Sequence, residues 1–201
     1  MSYSDFNLKQ VREQFQLNLI DVDDLFSQIT VVPINESLIE ILNYNVPLAM
    51  AIGTEKAKSE LIISNILLEV RKKLNNKISF FSGVILDVDK EKGLYGFCDF
   101  VISNSPEQFC MTAPIITLVE AKNDCIVGGL GQCIAEMVAA SIFNNREGIQ
   151  LSTMYGVITT GNIWKFLKLE NNNVYIDLQD YYIIQADKIV SILVSMIDES
   201  I

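Results

Sequence analysis

Residues 115–124 read "IITLVEAKND", and this stretch decides the fold that the sequence predicts. Its first five residues are apolar or β-branched, which is typical of a strand buried inside a sheet. Glu120 and Lys122 follow with one residue between them. Side chains two positions apart in a strand point the same way, about 7 Å apart along the chain. The strand is therefore expected to end with a carboxylate and an ammonium group on one side of the sheet.

Strand and helix patterns surround this central strand on both sides. We predict strands over residues 78–86, 94–102, 115–121, 153–161, 162–170 and 173–178. We predict helices over residues 4–16, 21–29, 36–46, 55–75, 129–144 and 185–199, with Thr54 capping the fourth and Pro47 ending the third. This order predicts an α/β (α+β) fold with a mixed central β-sheet flanked by helices. We assign residues 1–50 to a helical N-terminal arm and residues 51–201 to the main domain.

Two polar side chains lie where the pattern predicts an apolar surface. Asp99 falls in the middle of an aromatic and apolar strand face, where a charge is costly unless it is paired or bound to a metal. Gln132 leads a row of alanines on a helix that is apolar almost all round, and a buried amide needs a hydrogen-bond partner. Both residues are therefore candidates for a functional site.

A third candidate comes from the helix predicted over residues 55–75. At 100° per residue, Glu60 falls on the apolar stripe and is expected to face the sheet. Glu55 and Glu69 fall on the opposite side, where we expect them to be solvated. The projection therefore selects Glu60 as the unusual acid of this helix.

The composition excludes several kinds of chemistry. The chain has no histidine, which removes Ser-His-Asp and Cys-His catalysis and histidine-zinc sites. Its net charge of −10 argues against a nonspecific nucleic-acid binder, although residues 51–80 carry six basic and three acidic residues, a local balance of +3. Any catalysis must therefore use carboxylates, lysine, hydroxyl groups or a metal ion held by oxygen ligands.

The same composition indicates a cytoplasmic setting. None of the four cysteines forms a CxxC pair, and Cys98 and Cys133 lie in apolar segments, as free cysteines do in reducing compartments. The apolar runs are interrupted before they reach the length of a membrane span, and the N-terminus lacks the pattern of a signal peptide. We therefore expect no membrane partner.

The candidate residues fit one chemistry. Carboxylates hold Mg²⁺ through oxygen ligands, and a nearby lysine can orient or activate a water, or stabilise charge that develops on a phosphate. Taken singly, each residue also has a structural interpretation. Asp99 could pair with Lys122 on a neighbouring strand, Glu60 with Lys56 one turn earlier, and Gln132 could hydrogen-bond a loop.

Taken together, the candidates resemble the PD-(D/E)XK nuclease superfamily, which has the restriction-endonuclease-like fold. The similarity consists of an acid in a first helix, Asp99 in a strand, an E-x-K motif at residues 120–122 and Gln132 in the next helix. The stretch "YGVITTGNIWKFLKL" at residues 155–169 is similar to the T-x-G-x-x-W-x-F segment of restriction-subunit nuclease domains. The resemblance covers roughly residues 54–170.

The resemblance implies a hydrolase that cleaves phosphodiester bonds in DNA with Mg²⁺ or Mn²⁺. Asp99 and Glu120 would be the metal ligands and Lys122 the catalytic lysine. Glu60 would be an accessory acid, and Gln132 would brace the site.

Two other hypotheses remain open. The chain could be a noncatalytic interaction or assembly module on a nuclease-like scaffold, which its acidic charge and unexplained first fifty residues suggest. It could also form a homodimer in which residues 1–50 pack on a partner chain, an arrangement compatible with nuclease activity.

Overall fold

A mixed sheet of eight strands, packed against five helices, forms the centre of this α/β protein. The structure is a computed structural model that describes residues 1–198. The strands are β1 (Asn18–Val22), β2 (Ser79–Ile85), β3 (Phe97–Ser103), β4 (Ile115–Ala121), β5 (Thr153–Thr159), β6 (Ile163–Glu170), β7 (Asn173–Asp177) and β8 (Tyr181–Tyr182). The helices are α1 (Leu8–Phe15), α2 (Glu36–Ile52), α3 (Glu55–Lys58), α4 (Ser64–Lys73), α5 (Ile126–Arg146) and α6 (Ala186–Asp198). A π-helical turn, Ser59–Ile63, joins α3 and α4 into one continuous helix.

The sheet is open and has the strand order β1-β7-β6-β5-β4-β3-β2, with β8 pairing with β6. β4 runs parallel to β5 and antiparallel to β3, and β1 runs parallel to β7. The crossover between β4 and β5 is made by α5, as a parallel connection requires. The predicted mixed sheet with flanking helices is therefore confirmed.

Helices cover both faces of the sheet and enclose two apolar cores. One core lies under α2, α4 and α6, and the other under α1 and α5. Among the described residues, α5 is the one helix long and apolar enough to cross a membrane by composition, and 56% of its most apolar window is buried inside the protein. It packs against β4 and β5 as the central helix of the second core.

Most predicted strands lie within a few residues of the observed ones, but the N-terminal region differs. The helix predicted over residues 21–29 is wrong, because β1 and a turn occupy this part of the chain. The short strand β8 was not predicted.

Residues 1–50 are also not purely helical, since they contribute β1 to the sheet and bury Tyr3, Phe6 and Val11 in the core beneath α5. The last residue of the helix predicted over 185–199 lies outside the described residues.

The prediction that the second observed helix stops before Pro47 is also wrong. α2 continues to Ile52 and ends at Gly53, which has a left-handed φ of 73°. Proline removes one helical hydrogen bond and crowds the carbonyl four residues earlier. Here Asn43 and Pro47 are both exposed, so water can satisfy the carbonyl of Asn43.

Candidate functional site

The two predicted metal ligands lie opposite each other at the ends of β3 and β4. The antiparallel register pairs Phe100 with Val119, so the next pair along is Asp99 and Glu120. Directly opposed residues in antiparallel strands share one face of the sheet, with Cβ atoms about 5 Å apart. The backbone N–H of Ala121 donates to Asp99 Oδ2 at 2.8 Å, which fixes the Asp99 carboxyl across the strand ends. The structure therefore brings the carboxyl groups of Asp99 and Glu120 together at the adjoining ends of β3 and β4.

Lys122 contacts both Glu120 and Gln132. Its Nζ forms an ion pair with Glu120 Oε1 and donates to Gln132 Oε1 at 3.0 Å. The backbone N–H of Lys122 donates to Thr159 O at 2.8 Å, which continues the pairing of β4 with β5 past the last strand residue. The geometry thus places Lys122 beside the carboxylates, and Gln132 of α5 holds the ammonium group in position. The alternative pairing of Lys122 with Asp99 is not the contact formed, because the ammonium pairs with Glu120.

A buried acid on α5, Glu136, completes this cluster and was missed in the sequence. Gln132 Nε2 donates to Glu136 Oε1 at 3.1 Å, so the amide bridges Lys122 and Glu136. Glu136 is fully buried. Its position four residues after Gln132 puts both on the same helix face, and this spacing is the signal that could have identified it.

The electrostatics show that this cluster carries more negative charge than its surroundings neutralise. Burial, followed by the nearby Asp99 carboxyl, raises the pKa of Glu120 to about 7, although Lys122 opposes the shift. Burial and the neighbouring Glu120 raise the pKa of Glu136 well above its ordinary value. Glu120 Oε2 and Glu136 Oε2 are both buried and have no hydrogen-bond donor. Two ionised carboxylates cannot donate to each other, so the cluster requires either a proton or a cation.

Lys122 is a cation at neutral pH. Burial disfavours its ammonium form, but the carboxylate of Glu120, with smaller contributions from Glu55 and Asp99, outweighs burial and raises the pKa of Lys122 above its ordinary value. A lysine that stays protonated cannot accept a proton from water. It can orient a water by donating hydrogen bonds, or stabilise negative charge on a phosphate.

The helix acid that is electrostatically coupled to the cluster is Glu55, which is exposed, as expected, but lies near the site rather than on the far side of the helix. Burial and then Asp99 raise the pKa of Glu55, and Lys122 lowers it. Glu60 was expected to face the sheet, but its side chain is 61% exposed and forms an ion pair with Lys56 at 3.0 Å, as the alternative interpretation proposed. Both acids line an open cleft of about 230 Å³, together with Asp99.

The orientation of Glu60 has a local cause. The π-turn Ser59–Ile63 adds a residue to the helix, and one extra residue shifts the helical phase by about 100°. A projection that assumes a regular helix from residue 55 to residue 75 therefore places Glu60 on the wrong side. The prediction that Glu69 is solvated is also wrong, because Glu69 is buried and accepts hydrogen bonds from the backbone and side chain of Asn35.

Two contacts hold Glu55 at the mouth of the cleft. Thr54 caps α3, as predicted, by accepting a hydrogen bond from the N–H of Ala57 at 3.2 Å. The buried side chain of Lys58 donates through Nζ to both the backbone oxygen and the side-chain Oδ1 of Asn123, which follows Lys122. The last residue of α3 is thereby tied to the segment that follows β4.

The donor set fits a hard divalent cation held by few protein ligands. Within residues 1–198, no group of three or more histidine, cysteine, aspartate or glutamate side chains is already arranged to hold a metal. Asp99 and Glu120 supply two carboxyl groups, and Glu120 Oε2 is a buried oxygen without a donor. Mg²⁺ is commonly bound through one or two carboxylates and several waters, so the pair is sufficient for this ion.

Comparisons with protein-family models and with curated protein sequences give no match to this chain. The functional argument therefore depends on the geometry of the cluster formed by Asp99, Glu120, Lys122, Gln132 and Glu136.

Proposed function

We propose that this protein is a Mg²⁺- or Mn²⁺-dependent nuclease of the restriction-endonuclease-like type, which hydrolyses phosphodiester bonds in DNA. The observation that carries the proposal is the convergence of Asp99, Glu120 and Lys122 at adjoining ends of two central strands. Two carboxylates can hold the metal ion for hydrolysis of a phosphodiester, and a protonated lysine beside them can stabilise the charge that develops on the phosphate.

Each residue of the cluster has a role in this proposal. Asp99 and Glu120 would hold the metal ion, which when bound neutralises charge on the phosphate and lowers the pKa of a coordinated water. Lys122 donates hydrogen bonds to the attacking water or to the phosphate oxygens. Gln132 keeps the Lys122 ammonium group in place. Glu55, at the cleft mouth, can accept a hydrogen bond from the water and so orient it.

The cleft gives a substrate access to Asp99 beside Gly83, the residue of β2 that lies opposite Asp99. Ser82 pairs with Phe100 and Val84 pairs with Cys98, which places Gly83 beside Asp99 without a regular pair. Gly83 has a φ of +63°, and a Cβ built there would meet nothing within 4 Å. Glycine inside a strand often marks a place where a ligand or another backbone approaches closely. We assign this gap to the sugar-phosphate backbone.

The direct test is to incubate supercoiled plasmid with the protein and Mg²⁺ or Mn²⁺, beside the Asp99→Asn variant and an EDTA control. We expect nicking by the wild type only, and calorimetry should show metal binding that Asp99→Asn weakens at least about 10-fold, because a charged ligand is lost. Equal nicking by both proteins would reject the proposal. Absence of binding heat at millimolar metal would favour the noncatalytic module instead.

Gly129→Ala tests whether the position of Lys122 matters for activity. A Cβ at residue 129 would lie 3.0 Å from Ile158 Cγ2 and 3.1 Å from Lys122 Cε and Cγ, so the lysine must shift slightly. We expect cleavage to fall about 10-fold, as small misplacements in active sites do, while alanine supports the helix. Kinetics and thermal melting measure the two effects.

The matched control is Gly131→Ala, two residues along the same helix. There a Cβ would lie 2.4 Å from the backbone oxygen of Phe6, with backbone atoms of Phe6 and Asn7 as its nearest neighbours, and backbone cannot yield as a flexible side chain does. This variant should lose stability. If Gly129→Ala cleaves DNA like the wild type, the tight packing of Lys122 against α5 is not needed for catalysis.

A further inference from the structure

The connection between α4 and β2 concentrates positive charge in an otherwise acidic chain. Residues 70–86 contain no aspartate or glutamate and four basic residues, Arg71, Lys72, Lys73 and Lys77, whereas the whole chain has a net charge of −10. The acid just before this segment, Glu69, is buried and accepts hydrogen bonds from Asn35. We call residues 71–77 the basic turn. A local excess of positive charge on a protein of opposite sign favours an anionic ligand at that place.

Two cations of the basic turn are not used by the fold. Arg71 and Lys73 donate hydrogen bonds to backbone carbonyls. Lys72 and Lys77 are exposed and pair with no carboxylate of residues 1–198. Exposed lysines elsewhere pair with a carboxylate three or four residues away. Lys72 lies in the last turn of α4, where the helix dipole favours a cation, but Lys77 lies beyond the helix and has no such role.

The backbone of the basic turn places side-chain amides between these two lysines. The N–H groups of Asn75 and Asn76 donate to the backbone oxygens of Lys72 and Arg71 at 3.0 and 2.9 Å, and both asparagines have left-handed φ angles. Asn76 Oδ1 accepts a hydrogen bond from Arg71 Nη1 at 2.8 Å, so the side-chain N–H groups of Asn76 remain as donors. Ammonium and amide N–H groups are all donors, and phosphate oxygens are the acceptors that such a set fits.

The strand β2 connects the basic turn to the cleft beside Asp99. β2 is the last strand of the sheet, so its outer edge pairs with no other strand. Gly83 lies six residues after Lys77 and lines the cleft. An extended chain of six residues spans about 20 Å. Each strand of a DNA duplex carries one phosphate per about 3.4 Å of helix axis, so this distance corresponds to about six base pairs.

The loop between β3 and β4 borders the path from the basic turn to the cleft. Gln108 Nε2 in this loop donates to Phe80 O at 2.8 Å, near the start of β2. The carboxylate of Glu107 accepts a hydrogen bond from the N–H of Phe109 at 2.7 Å and pairs with no lysine of the basic turn. The lysines of the basic turn therefore stay without an ion-pair partner on this side as well.

We propose that the basic turn binds the phosphate backbone of duplex DNA about six base pairs from the bond that is cut. The choice of DNA as partner rests on the proposed function. A duplex is stiff over this distance, because its persistence length is about 150 base pairs. It therefore reaches from the cleft to the basic turn without the ordering cost that a flexible single strand pays on binding.

Fluorescence anisotropy in EDTA tests the proposal without any cleavage. With a labelled duplex of about 20 base pairs at about 100 mM salt, we expect Lys72→Gln/Lys77→Gln to bind at least about 10-fold more weakly than the wild type. The slope of log K against log salt concentration should become less negative by about two, since two phosphate contacts are lost.

The matched control is Lys9→Gln/Arg12→Gln. It removes the same charge from α1 beside β1, at the opposite edge of the sheet, and should bind DNA like the wild type. Equal losses in both double variants would overturn the proposal, as would a wild type that binds no DNA at low salt. Binding to anionic lipid vesicles but not to DNA would also overturn it, in favour of a membrane surface.

The same measurement separates this proposal from the nuclease proposal, because binding in EDTA does not need a metal ion. A protein that binds DNA through the basic turn but does not nick plasmid would reject nuclease activity alone. A protein that nicks plasmid, and whose DNA affinity is unchanged in Lys72→Gln/Lys77→Gln, would reject the role of the basic turn alone.

Cross-linking tests the position of the contact. Lys77→Cys and Lys9→Cys, each made with the exposed Cys110 and Cys125 replaced by serine, would carry a photoactivatable group on the new thiol. We expect the label at residue 77 to cross-link to duplex DNA with several times the yield of the label at residue 9. Equal yields would contradict a contact at the basic turn.

Discussion

Lys122→Met is expected to reduce DNA cleavage at least about 100-fold while leaving metal binding intact, an effect comparable to the loss of one group that stabilises developing charge. The reason is that Lys122 stays protonated beside Glu120 and contributes positive charge without being a metal ligand. Methionine keeps the length and apolar stem of the side chain. Single-turnover cleavage and calorimetry with Mg²⁺ would measure the two properties separately.

The matched control for this variant is Lys56→Met. Lys56 lies on the rim of the same cleft, its side chain is 83% exposed and it pairs with Glu60. Its removal changes the net charge by the same amount, so a general electrostatic effect on DNA binding would appear in both variants. A Lys122→Met protein that cleaves as fast as Lys56→Met would show that Lys122 has no role in the chemistry.

The metal-free protein is expected to lose stability as the pH rises from about 4.5 toward 7 and above. The pKa of Glu120 is about 7 in the folded protein against 4.5 for an unperturbed glutamate, so the folded state binds more protons in this window. Stability therefore falls with rising pH, by about 3 kcal/mol at pH 7 for this group alone. The raised pKa of Asp99 acts in the same direction. Urea denaturation in EDTA at several pH values would measure the effect.

Glu136→Gln provides the control for this pH dependence. Glutamine can still accept the hydrogen bond from Gln132 and can donate to Glu120, but it carries no charge at any pH. We expect the variant to be more stable than the wild type at pH 8 by about 1–3 kcal/mol, since glutamine needs neither a bound proton nor a buried charge in the folded state. A metal-free wild type whose stability rises between pH 5 and 8 would contradict this account, as would a less stable Glu136→Gln.

The parts of the site that follow from strand geometry could be predicted from the sequence. β4 was predicted with its observed bounds, and alternation placed Glu120 and Lys122 on one side. The same rule placed Asp99 on an inward face, and the register with β4 puts it opposite Glu120. These inferences succeed because the alternation of side chains along a strand relates residues only two positions apart. An irregularity elsewhere in the chain does not change it.

The helix acids show where such local rules fail. A helix projection requires every residue between the reference and the target to be regular, and the π-turn Ser59–Ile63 breaks this requirement. The π-turn leaves Glu60 on the rim of the cleft, where it pairs with Lys56. Glu55 is instead the acid that is coupled to Asp99 and Lys122. No pattern of apolar residues near Glu60 shows the inserted residue.

By itself, the sequence determined the class of the fold, the bounds of the central strand and the shared side of Glu120 and Lys122, because these depend on neighbours in the chain. Only the tertiary structure decided that β1 joins the sheet beside β7, that Glu136 is buried behind Glu120 and that apolar residues of α2 such as Tyr44 face solvent. These features depend on contacts between residues distant in the chain. Their burial and pairing energies exist only once the segments have come together.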